Sequence, residues 1–135
     1  MANEAVIVEL YGDNGDVRFY TCANGTTIEK GTILELEDPR TAKKVSGAGV
    51  VIAGIAAHEK VANDGSTKIG VYTNGIFDLT CAAGGTATLG SYVRSAGSDN
   101  TITVSTTLDD ETGKSIGKAL ETGGNNEAVQ VRVLL

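Results

Sequence analysis

The sequence contains no tryptophan, one proline, one histidine and one methionine, and aromatic residues make up only 4% of its 135 positions. A core without indoles and with few phenyl rings has to be built from Val, Ile, Leu and Ala. With proline nearly absent, the turns fall to 18 glycines together with Asn and Asp. Basic residues are also in short supply: 11 Lys and Arg stand against 17 Asp and Glu, a net charge of -6. They are scattered along the chain, whereas a nucleic-acid partner needs a basic face to displace phosphate counterions. No nucleic acid is therefore expected as a partner. No apolar run approaches the length of a membrane span, so no membrane is expected either. Met1-Ala2-Asn3-Glu4 lacks the basic and apolar regions of a secretory signal, which points to a protein made and kept in a cytosol. Cys22 and Cys81 then read as reduced thiols, each a small buried apolar side chain, with a disulfide between them as the alternative. No window sustains apolar residues at i, i+3, i+4 and i+7, which argues against long helices.

What is present is a series of short alternating segments. The central stretch, Val50 to Leu79, opens with an apolar run from Val50 to Ala57 that reads as a buried strand. Lys68 to Thr73 and Ile76 to Thr80 flank Asn74-Gly75, a pair that favours a tight hairpin with φ > 0 at both positions. Glu4 to Tyr11 reads as a strand with Val6, Val8 and Leu10 on one face. Leu34 and Leu36 alternate with Glu35 and Glu37, which predicts a strand with one wet face. Ser115 to Leu120 places Gly117 and Ala119 against a close neighbour, and Ala128 to Leu134 turns Val129, Val131 and Val133 inward. The expected fold is all-β: a compact antiparallel sandwich or barrel-like domain of about ten short strands with little or no helix. The expected division is an N-terminal strand and hairpin segment over residues 1–25 and a β-barrel-like domain over 26–135.

The motifs that imitate active sites are incomplete. Thr112-Gly113-Lys114-Ser115 resembles the end of a phosphate-binding loop, but Leu108 stands where its first glycine belongs and no helix is expected after it. Gly47-Ala48-Gly49 starts like a dinucleotide fingerprint, yet Ile52 fills the position of the small residue. Asp13-Asn14-Gly15-Asp16 and Asp109-Asp110-Glu111 lack the spaced ligands of a calcium loop and read as turns and solvated charge. His58, beside Glu59 and near Ser66, is the sole side chain with an ordinary pKa near neutrality, and it has no convergent partners at fixed spacing. Neither cysteine has a metal-ligand neighbour. The residues thus predict no catalytic, metal or cofactor site, and no cofactor.

A resemblance runs through the chain from about residue 28. Ile28-Glu29-Lys30-Gly31-Thr32-Ile33-Leu34 fits I-x-K-G-x-x-L, and Gly54-Ile55-Ala56 fits G-I-A. Val71 to Leu79 fits V-x-x-x-G-I-F-x-L, Gly90 to Val93 fits G-x-x-V, Ile116 to Leu120 fits I-G-x-A-L, and Val129 to Val133 fits V-x-V-R-V. In this order the segments are similar to the small tailed-phage proteins that decorate or cement capsids.

The resemblance implies a compact β domain, often trimeric, seated at three-fold or quasi-three-fold points of an icosahedral shell, without catalysis. It implies two partners, the major capsid protein and further copies of the chain as a homotrimer. The location implied is the virion capsid surface after synthesis in the host cytoplasm. It further implies that the N-terminal segment lies on the capsid, which makes Ala2, Asn3, Glu4, Ala5, Val6, Ile7 and Val8 the candidate contact residues. The alternative for these residues is a strand internal to the domain. The alternative function is a carbohydrate- or surface-binding β module displayed on a virion. Such sites present exposed aromatics, and this chain offers four Tyr and two Phe. A small enzyme relying on His58 is the third reading.

Overall fold

The computed structural model describes residues 3–11, 17–106 and 112–135. Thirteen strands and no helix occur among the described residues. β1 (Val6–Leu10) comes first. β2 (Val17–Thr21), β3 (Ile33–Asp38), β4 (Thr41–Lys44), β5 (Ile52–Ala56) and β6 (Lys68–Tyr72) close into one barrel in the order β2-β4-β3-β5-β6. The remaining strands are β7 (Asn74–Cys81), β8 (Thr86–Ala87), β9 (Tyr92–Ser95), β10 (Thr101–Val104), β11 (Ser115–Ala119), β12 (Gly123–Gly124) and β13 (Ala128–Leu134). Their pairings run from β7 through β13, β11, β9 and β10 and return to β7, making a second ring. β8 and β12 pair as a separate two-stranded ribbon. β1 does not pair with β2. It crosses to the second ring and lies antiparallel to β7.

The all-β expectation holds, with the pairing mostly antiparallel. Two short parallel contacts, β2 with β4 and β10 with β7, help to close the rings.

Two apolar clusters explain why the chain needs strands that are greasy on both faces. One cluster, around Leu34, Ala53, Ala56, Ile69 and Val71, fills the first barrel. The other joins Ile33, Ile52, Ile55 and Tyr72 of that barrel to Phe77, Leu79, Val93, Ile102, Val129, Val131 and Val133 of the second ring. Successive side chains point to opposite faces of a strand. Ile33 and Leu34, or Ile52 and Ala53, therefore serve different clusters. Every residue of β5 is buried, and this is why Val50 to Ala57 reads as a continuous apolar run rather than an alternating one. Tyr72 meets Phe77 edge-on across the junction, with centroids 5.8 Å apart and an interplanar angle of 63°. Such a pair contributes about 0.5–1.5 kcal/mol beyond area burial. β13 alternates as expected, with Val129, Val131 and Val133 inward.

Two local expectations are corrected. Asn74-Gly75 is not a hairpin turn. β6 pairs with β2 and β5, β7 pairs with β1, β10 and β13, and the chain passes between the barrels at Thr73. Of the two residues only Gly75 has positive φ, 149°, and it lies inside β7, where an added Cβ would meet the Glu9 carbonyl of β1. A type I′ turn needs positive φ at both positions. The wet face of β3 is also misplaced: Glu35 is buried and Leu36 is exposed. The register of β3 shifts between Leu34 and Glu35 against β5 and between Leu36 and Asp38 against β4. A bulge of this kind re-aims side chains and breaks strict alternation.

Candidate functional site

The candidate contact segment is held at its start and open along its length. Ala2 lies outside the described residues. Asn3 donates its side-chain amide to the Asp99 carbonyl at 3.1 Å, and its own carbonyl accepts from Asn100 Nδ2 at 2.7 Å. Glu4 is exposed, and the Ala5 N–H donates to the Gly31 carbonyl at 2.8 Å. From there β1 follows β7, pairing Val6 with Asp78, Ile7 with Phe77 and Glu9 with Ile76. Val8 has no counterpart in that register, so the strand bulges at Val8. The bulge breaks the expected grouping of Val6, Val8 and Leu10 on one face. Val6 is 56% exposed, Ile7 36% and Val8 44%. β1 ends the sheet order, so among the described residues its outer edge has no neighbouring strand. Three consecutive apolar side chains on an open edge form a template for strand addition or apolar docking.

Tyr11 follows the strand and lies under the Arg132 guanidinium, 4.1 Å from carbon to ring centroid. This cation–π contact ties the end of β1 to β13, the strand on the far side of β7.

The same loops are anchored by a polar network. Asn100 has φ 64° and is buried. Its Oδ1 accepts from the Ile33 N–H at 2.7 Å, and its Nδ2 also donates to the Gly31 carbonyl at 3.1 Å. Lys60 is buried as well. Its ammonium donates to the Asn24, Thr26 and Val61 carbonyls at 2.8, 3.3 and 3.2 Å and to Asp64 Oδ1 at 3.3 Å. The Asp64 carboxyl is held below its ordinary value, first by the Ser66 N–H and then by Lys60 and the Val61 N–H, against a desolvation cost. Glu35 accepts from the Ser46 N–H and hydroxyl, both at 2.8 Å, with Lys43 Nζ 3.5 Å away. Burial raises the Glu35 pKa, but the Ser46 bonds and Lys43 outweigh it and hold the carboxyl below the usual range. Sequence reasoning missed these buried charged groups. For Glu35 the one signal was a glutamate inside an otherwise strand-like segment; Lys60, in a charged loop, carried none.

The motifs that imitate active sites stay apart. His58 is exposed and stacks on Phe19, with centroids 6.3 Å apart and 15° between planes. Asp64 Oδ1 accepts from the Ser66 N–H at 2.8 Å, and the Ser66 hydroxyl donates to the Lys68 carbonyl at 3.1 Å, so Ser66 serves the loop backbone. Gly113 accepts the Ile52 N–H at its carbonyl, and Ser115 starts β11, so this segment enters a strand. Leu108, Asp13 to Asp16 and Asp109 to Glu111 lie outside the described residues. Among the described residues no group of three His, Cys, Asp or Glu side chains could hold a metal ion. Cys22 and Cys81 are free, buried, and members of different apolar clusters. Burial pushes both thiols up. Of the aromatics, Tyr72 and Phe77 are in the core, while Phe19 and Tyr92 are exposed.

No curated protein matches the chain. Among solved structures, it is similar to the N base of head fiber gp8.5 in bacteriophage phi29, at 12% sequence identity and a TM-score of 0.54. The likeness covers 87% of this chain and 92% of that one, and at this identity it speaks for the fold alone. A family model described as phage cement protein matches residues 13–135. That match begins earlier than the resemblance read from about residue 28, so it takes in β2 and the turn after it. With all but the first residues of the chain inside the match, the protein belongs to the phage cement protein family, a family of virion structural proteins.

Proposed function

We propose that this chain binds the outside of an icosahedral phage capsid and stabilises the shell by bridging capsomers as a homotrimer. The family match over residues 13–135 carries this reading. The major capsid protein is its partner, and the segment Ala2 to Val8 is its contact. The open, apolar edge of β1 supports that assignment: Val6, Ile7 and Val8 are exposed, while Asn3 and Ala5 hold the segment in place. Residues 1–25 supply the capsid-facing region and 26–135 the decoration domain, whose first barrel β2 of the N-terminal segment helps to close. The work is mechanical. Apolar area is buried at each junction, and three linked contacts bind more tightly than one because each later contact forms intramolecularly. The protein makes and breaks no covalent bond. It is synthesised in the host cytoplasm and ends on the virion surface.

The test is binding to shells that lack the protein. The wild type should co-sediment with expanded empty shells and raise their resistance to heat or dilution. Val6→Asp combined with Val8→Asp should weaken binding at least ten-fold without changing the far-UV circular dichroism. Failure of the wild type to bind shells would refute the reading.

A further inference from the structure

We infer that Asn24-Gly25 is a site of spontaneous covalent modification, and that the loops around it are arranged to keep the isoaspartate it yields. The chain has three Asn-Gly pairs, starting at Asn14, Asn24 and Asn74, the first of them outside the described residues. In such a pair the glycine nitrogen attacks the side-chain amide carbon of the asparagine, and no side chain on the glycine hinders the approach. The nitrogen gives its proton to a solvent base, the new N–C bond forms, the bond to Nδ2 breaks and ammonia leaves. Water then opens the cyclic imide at one of its two carbonyls. One opening leaves aspartate. The other leaves isoaspartate, in which the chain runs through the former side chain and the former main-chain carbonyl becomes a carboxylate.

The structure separates the two described pairs. Gly75 is buried inside β7, between Leu10 of β1 and Val133 of β13, so an imide there would have to open both pairings. Asn24 and Gly25 are exposed and form a turn outside the strands. Among the described residues the Gly25 N–H and Asn24 Nδ2 make no hydrogen bond, which leaves nucleophile and leaving group both free. Asn24 Oδ1 accepts from the Gly65 N–H at 2.8 Å. That donor faces the oxygen on which negative charge gathers as the amide carbon becomes tetrahedral. The surroundings also discriminate between the products. The Asn24 main-chain carbonyl accepts from Lys60 Nζ and from the Asn63 N–H, each at 2.8 Å. This is the group that becomes the carboxylate of isoaspartate, so its new charge appears against a buried ammonium and a backbone donor. The former Oδ1 becomes a main-chain carbonyl oxygen and still faces the Gly65 N–H. Aspartate would instead place its charge on the Gly65 side, next to the Asp64 carboxylate in sequence and away from Lys60.

The experiment incubates the purified protein at mildly alkaline pH and follows it by tryptic mass mapping, with a fresh sample digested in parallel as background. Cleavage after Arg18, Lys30, Lys68 and Arg94 puts the three pairs in separate peptides. The peptide 19–30 should convert at least ten-fold faster than 69–94. Its share of isoaspartate, read by enzymatic methylation, should exceed that formed by the same peptide free in solution. Gly25→Ala should slow the conversion at least ten-fold and keep the fold, because the added Cβ meets only Asn63 Oδ1, at 3.8 Å. The thermal midpoint should not fall as position 24 converts. An Asn24 that persists, equal rates in the two peptides, or an unslowed Gly25→Ala would overturn the site. An isoaspartate share no larger than in the free peptide, or a midpoint that drops with conversion, would overturn the fit of the loops to the product.

Discussion

The Ile33 N–H donates to the side chain of Asn100 at 2.7 Å, although 67 residues separate the two in sequence. One amide thereby satisfies a buried N–H at the start of β3 and, through its Nδ2, tethers the carbonyls of Asn3 and Gly31. Replacing Asn100 by Ala leaves the Ile33 N–H unpaired and should cost about 1–3 kcal/mol. It also forces an alanine into φ 64°. Asn100→Gly loses the same bonds without that strain and should be less destabilised, by about 1 kcal/mol. Urea denaturation of the two variants measures both quantities. Amide exchange should show Asn3 to Val6 losing protection in each.

Gly117 lets β11 approach β13 more closely than any side chain tolerates. A Cβ there would overlap the Arg132 carbonyl oxygen, which is backbone and cannot rotate away. Gly117→Ala should therefore push the paired strands apart and cost about 3 kcal/mol. Gly47 has no atom within 4 Å of its ideal Cβ, and Gly47→Ala should leave stability within about 0.5 kcal/mol. Thermal melts of the two variants form a matched pair with opposite outcomes.

Glu35 makes stability depend on acid. Burial disfavours its charge, but the Ser46 donors and Lys43 prevail, so the folded-state pKa lies below the unfolded one. Its contribution is complete above the unfolded value of about 4.3 and is lost as the pH falls through the folded value. Glu35→Gln should lower stability at neutral pH, because it removes the charge from two short bonds. It should also flatten the fall in stability below about pH 4. Denaturation midpoints of wild type and variant between neutral and acidic pH test both effects. Parallel acid limbs would show that Glu35 is not the group responsible.

Much of the fold could be read from the residues because the physics was local. β13 alternates Val with Gln and Arg, and it packs as that alternation says. Gly117 and Ala119 imply a close neighbour, and the Arg132 backbone is that neighbour. The small apolar thiols are buried as their surroundings imply. What remained hidden depended on pairing across the chain. Asn74-Gly75 has the chemistry of a turn, but β7 found β13 and β1 as partners instead of β6, and seven residue pairs with β13 hold it there. Tertiary pairing overrode a local preference. Glu35 and Leu36 exchanged their expected sides because the register shifts beside them, and a bulge leaves no mark in a pattern of period two. Lys60 looked like one charge among several in a loop. Its role appears only when the Asn24 and Thr26 carbonyls, 36 and 34 residues away in sequence, converge on it beside that of Val61. Of the candidate contact residues, Val6, Ile7 and Val8 were legible as part of a strand. That both faces of Val6 to Val8 stay open depends on β1 crossing to the second barrel, which no single segment reveals.

The partition of β3 and β5 between two clusters has a consequence for how the molecule comes together. Ile33 and Leu34 are neighbours that answer to different interiors, as are Ile52 and Ala53. A slip of one residue in either strand would swap the occupants of both interiors at once, so each barrel proofreads the register of the other. Each interior therefore takes part of its wall from strands that also line the other, and neither barrel is complete without its sibling.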